Sequence, residues 1–194
     1  MSRPGQTPSQ TLGPYFAYGL TPEQYGYPLR SLFGAVIAED RCAGEHIRVV
    51  GQVLDGEGKP VGDAMIEVSQ ADASGRFATS REQALASGFR GFGRVGTDPD
   101  NRFEFRTVKP GSIGEGNAPH LSVIVMMRGI LSHAFTRVYF DDEAAANASD
   151  PVLAQVPAQR RATLVAKRET TPGGTVYRFD IRMQGERETV FFDV

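Results

Sequence analysis

A hydrophobic period of two, in short runs broken by glycine and proline, governs this sequence. Phe103, Phe105 and Thr107 alternate with Arg102, Glu104 and Arg106, and Tyr177, Phe179, Ile181 and Met183 alternate with Arg178, Asp180 and Arg182. Successive side chains of a strand point to opposite faces, so each run predicts a strand with one face in the core and one in water. Residues 47–54, 64–68, 134–140 and 189–192 also read as strands. Residues 121–127 are nearly all apolar, which predicts a strand buried on both faces. The run Asp55-Gly56-Glu57-Gly58-Lys59-Pro60 reads as a turn. With 22 Gly and 12 Pro in 194 residues, turns are frequent. Helix is confined to about 81–87 and 141–148. The expectation is an all-β chain: a β-sandwich of mostly antiparallel strands with an N-terminal arm and short helices.

Residues 1–45 lack either period but hold Tyr15, Tyr18, Tyr25 and Tyr27, four of the six tyrosines, with Phe16 and Phe33. Disordered tails are poor in aromatics, so this segment reads as an ordered arm packing on a partner subunit, ahead of a sandwich domain over 46–194. A net charge of −2 supplies no basic field for nucleic acid or anionic membrane. The N-terminus has no apolar signal core, no run is long enough to span a bilayer, and Cys42 is the single cysteine; the expected location is the cytoplasm. One Cys and three His (His46, His120, His133) also limit the metal chemistry available to this chain alone.

The block VVGQVLDGEGKPVGDAMIEVSQADASGRF, Val49 to Phe77, is a strand, a glycine turn, a strand, an Asp/Gly turn and a third strand. Sandwich binding modules share part of it. Its full spacing, with Glu67 inside the second strand and Gln70-Ala71-Asp72 after it, resembles the signature of the intradiol ring-cleavage dioxygenases. TPSQTLGPYF (7–16), RTVKPG (106–111), APHLSV (118–123), RVYFDDEAAAN (137–147) and the C-terminal YRFDIRMQGERETVFFDV resemble that family too. The last two are similar specifically to the alpha-type chain of its two-chain members.

The resemblance implies ferric iron held by two Tyr and two His, donors that suit a hard ion. One Tyr is expected in the loop after the third strand, one just after Lys109-Pro110-Gly111, and the histidines as His-x-His. Here the loop 78–88 has no Tyr, Ser112 and Ile113 follow the glycine, and His120 is followed two residues later by Ser122. One ligand position of four survives, as a vestige, so no metal ligand and no catalytic residue is expected in this chain. Ferric iron would be bound by a homologous beta chain in a hetero-oligomer. The assembled enzyme would open the ring of 3,4-dihydroxybenzoate (protocatechuate) with O2, giving 3-carboxy-cis,cis-muconate, in aromatic-compound catabolism (the beta-ketoadipate pathway). The resemblance places Thr11, Gly13, Pro14, Tyr15 and Arg128 in the wall of the shared substrate pocket, where a guanidinium suits an anionic aromatic acid.

From the residues alone, His120 also reads as a hydrogen-bonded core histidine, Arg128 as an exposed strand-end arginine, and the arm as simple packing. Asp141-Asp142-Glu143 reads as a helix start on a solvated face. Gly56, Gly58 and Gly62 are hairpin glycines, not a phosphate loop. Two other functions fit the pattern: a non-enzymatic sandwich binding module, and a self-sufficient dioxygenase whose site uses Tyr139 and Tyr177.

Overall fold

The alternating runs pair into one large sheet. In a computed structural model that describes residue 13 and residues 15–193, the strands are β1 (His46–Gly51), β2 (Val53–Leu54), β3 (Met65–Ser69), β4 (Phe92–Gly96), β5 (Phe103–Val108), β6 (His120–Met126), β7 (Ala134–Phe140), β8 (Val165–Thr171), β9 (Gly174–Arg178) and β10 (Ile181–Arg182). Eight of them form a continuous sheet in the order β4-β3-β6-β7-β8-β9-β1-β5, and β10 pairs with β2. The end strands β4 and β5 lie against each other, so the sheet is nearly closed. Three pairs are parallel, β1 with β9, β7 with β8 and β10 with β2; the others are antiparallel.

Burial follows the period of two. In β5, Phe103 and Phe105 are buried while Glu104 and Arg106 are exposed. In β6, Leu121, Val123 and Val125 enter the core, but Ser122 is exposed and Ile124 and Met126 are half-buried. The apolar run is therefore one-faced, and its other face is a surface where ligands or partners have access. The core joins side chains of β1, β5 and β9 with those of β3, β6 and β7 around Phe105, Phe140 and Tyr177.

The helices are short: α1 (Tyr15–Leu20), α2 (Arg81–Ser87), α3 (Ala144–Ser149) and α4 (Pro151–Gln155). Ser80 caps α2, accepting from the Gln83 N–H at 3.1 Å, and Gly88 ends it with φ 77°. The helix expected at 141–148 begins three residues later, because Asp141 and Asp142 are drawn into side-chain contacts with Lys167, Arg168 and Lys109. The strand expected at 189–192 reduces to a single bridge, Phe135 to Phe192. Residues 34–38 of the arm lie on the chain's own sheet: the Ile37 N–H donates to the Arg106 carbonyl at 2.8 Å, and Ile37 and Ala38 are buried in the core. Among the described residues no helix is long and apolar enough to cross a membrane.

Candidate functional site

Two loops carry the site, and the Asp72 turn joins them. The Asp72 carboxylate accepts from the backbone N–H groups of Ser74 (2.8 Å) and Arg76 (3.0 Å), and its carbonyl accepts from Gly111 N–H (2.9 Å). Gly75 sits at φ 81°, and a Cβ there would stand 1.9 Å from the Ser112 carbonyl oxygen. Only glycine allows this contact, so the loop after β3 and the Lys-Pro-Gly loop are held together.

Lys109 locks the second loop onto the end of β7. Its ammonium donates to Asp142 (2.8 Å) and Glu143 (2.6 Å) and lies over the rings of Phe140 and Tyr177. Burial opposes the charge, but these carboxylates outweigh it and raise the lysine above its ordinary range. The Tyr177 hydroxyl donates to Asp142 at 2.9 Å. Lys109→Met keeps the apolar stem and orphans two carboxylates; a loss of about 2 kcal/mol is expected, read by urea unfolding. A midpoint unchanged from wild type contradicts this account of the loop.

At the start of β6, His120 is buried, with its Nδ1 at 2.8 Å from the Ala118 carbonyl oxygen. Burial and then the nearby Arg137 charge lower its pKa, against the opposing pull of that hydrogen bond and of Asp150. Its cross-strand neighbour Tyr139 donates to Asp150 at 3.0 Å and is fully buried. Asp150 also accepts from the N–H groups of Ala118 (3.0 Å), Val152 (3.0 Å) and Leu153 (2.8 Å), so it caps α4 and ties that helix to β6 and β7.

This donor set does not fit ferric iron. Ser122, where the resemblance implies a second histidine, has its side chain on the same face as His120. Tyr139 and Tyr177 are hydroxyl donors to carboxylates, and burial first of all pushes each phenol up to about 12. A tyrosinate ligand needs the opposite environment.

The expected pocket-wall residues divide. Thr11 and Pro14 lie outside the described residues. Gly13 takes φ 63°, with nothing within 4 Å of where a Cβ would be, and Tyr15 opens α1. Arg128 follows β6 at the end opposite His120. With six steps from His120 to Met126 at about 3.3 Å each, the two ends are roughly 20 Å apart. The Arg128 side chain is 62% exposed, and its Nε is paired with the Asp63 carboxylate. The arm meets this pair: the Tyr25 phenol is raised by burial, by Asp63 and by Tyr18, with Arg128 opposing. The rings of Tyr18 and Tyr25 meet edge to face at 4.6 Å. The structure thus brings the arm and Arg128 to one region and leaves His120 at another. Asp63 and Asp150 escape a reading of the sequence, although Asp150-Pro151 is a helix-start signal.

The dioxygenase family model matches residues 13–185. The chain is 66% identical over 192 residues to the protocatechuate 3,4-dioxygenase alpha chain of Burkholderia cepacia, covering 97% of this chain and 98% of that one. It is 35% identical over 159 residues to the protocatechuate 3,4-dioxygenase beta chain of the same organism, covering 75% of this chain and 67% of the other. Its fold is similar to that of an intradiol ring-cleavage dioxygenase from Tetranychus urticae, with a TM-score of 0.61 at 16% identity over 96% of this chain and 100% of that one. The chain belongs to the dioxygenase family, among the relatives of the alpha chains of protocatechuate 3,4-dioxygenase.

Proposed function

We propose that this chain is the alpha subunit of a protocatechuate 3,4-dioxygenase and acts with a homologous beta chain in a hetero-oligomer. The enzyme opens the ring of 3,4-dihydroxybenzoate with O2 to give 3-carboxy-cis,cis-muconate. The observation that carries this reading is the 66% identity, sustained over nearly the whole of both chains, to an alpha chain of that enzyme.

Ferric iron belongs to the beta chain in this reading, because His120, Ser122, Ile113 and the tyrosine-free loop do not make a ligand set. What this chain supplies is scaffold and wall. Residues 1–45 form the arm that packs on the beta chain; Tyr27, Leu29, Leu32 and Phe33 expose apolar surface in support of that role. Thr11, Gly13, Pro14, Tyr15 and Arg128 line the shared pocket, with the Arg128 guanidinium facing the substrate carboxylate. The sheet is folded over as a sandwich: β7 and β8 share only the pairs Tyr139–Val165 and Phe140–Ala166, and side chains from both halves enter one core. The complex works in the cytoplasm, in keeping with one cysteine, which is free and buried.

The test is O2 uptake by the co-purified chains with 3,4-dihydroxybenzoate. Arg128→Gln in that complex is expected to raise KM about tenfold with kcat and iron content little changed, since the contact is made equally in ground and transition states. An unchanged KM removes Arg128 from the pocket. Failure of the chain to co-purify with any beta chain removes the two-chain reading.

A further inference from the structure

The outer face of the sheet holds a depression that the alpha-subunit role does not use. One row runs across four strands by backbone pairing: Phe92 of β4 beside Ser69 of β3, Ser69 beside Ser122 of β6, and Ser122 beside Arg137 of β7. The two central side chains are small and the outer two are large, so the row is hollow in the middle. Phe135, in the next row on β7, and Phe192, bridged to it, close one side. The cavity measures about 390 Å³, within the range of small-molecule sites.

Its charge is unbalanced. Arg137 is half-buried, has no carboxylate partner among the described residues, and makes only a long contact of 3.4 Å to the Tyr139 hydroxyl. A half-buried guanidinium seeks an anion. Glu67 also lines the cavity, but it is already paired with Arg94 at 2.6 Å. Asp193 stands exposed at the rim. The floor hydroxyls of Ser69 and Ser122 face a ligand as donors, and three phenylalanine rings offer apolar walls.

We infer that this depression binds a small aromatic carboxylate, with its anionic group on Arg137 and its ring over Ser69 and Ser122 between the phenylalanines. It is a second site, separate from the wall at Arg128, and stands whether or not the two-chain reading does.

The test is equilibrium dialysis of labelled benzoate against the protein as purified, with its partner chain if it has one, comparing wild type, Arg137→Met, Arg137→Lys and Ser122→Phe. Because the readout is a difference between variants, benzoate held at any other site subtracts out. Wild type is expected to hold benzoate at this site about tenfold or more tightly than Arg137→Met. Arg137→Lys recovers part of the loss. Ser122→Phe, a change at an exposed position, blocks the site by bulk with the charge intact. Benzamide, isosteric but neutral, is expected not to compete. Equal benzoate affinity in wild type, Arg137→Met and Ser122→Phe overturns the inference, as does equal competition by benzamide.

Discussion

Asp150→Ala is expected to be among the most destabilising single substitutions in this chain, by about 4 kcal/mol, with a melting temperature roughly 10 °C lower. The carboxylate is fully buried, and removing it orphans the Tyr139 hydroxyl and the N–H groups of Ala118, Val152 and Leu153 together. It also unfastens the small core of Ala118, Tyr139, Leu153, Val156 and Leu164. Asp150→Asn keeps the acceptor shared by Tyr139, Val152 and Leu153 but turns an NH2 toward the Ala118 N–H; its cost is smaller, about 2 kcal/mol. A loss from Asp150→Ala below that of an ordinary exposed cap refutes the assigned role.

Burial pushes the Asp150 carboxyl upward, but the donors from Leu153, Ala118, Tyr139 and Val152 outweigh it and hold the carboxyl below its ordinary range. The folded-state pKa is thus lower than the unfolded one. The stabilisation is complete above the ordinary aspartate value of about 3.9 and drains away as pH falls through the folded value. Asp150→Asn removes this part of the acid sensitivity, so the wild-type and variant stability curves converge in acid.

The legibility of the fold divides by locality. Strands β1, β3, β5, β6, β7 and β9 each carry local alternation or an apolar run. Strand β4 reads Phe-Gly-Arg-Val-Gly, too rich in glycine to show a period, and becomes a strand by pairing along β3. Strand β8 exposes Lys167, Arg168, Glu169 and Thr170 in succession; its pairing with β9, and at Val165 and Ala166 with β7, makes it a strand. At the site, the departures from the ligand pattern that the resemblance implies are matters of position along the chain, legible at Ile113 and Ser122. The meeting of Arg128 with Asp63, and of Ser122 with Arg137, depends on register and chain return, which no local pattern encodes.

The second large effect concerns iron. Tyrosinate-ferric centres absorb visible light, and their binding needs phenols that lose a proton readily. In this chain Tyr139 and Tyr177 are held protonated by buried surroundings and carboxylate acceptors, and His120 stands where two histidines would be needed. Restoring a histidine by Ser122→His is therefore not expected to create colour, because both phenolates are still missing. The most direct measurement is iron per chain, with the visible spectrum, for this protein purified alone and purified with a homologous beta chain. The account predicts negligible iron and no colour alone, and one ferric ion with tyrosinate colour per pair of chains in the complex. Stoichiometric, coloured iron in the isolated chain would contradict it.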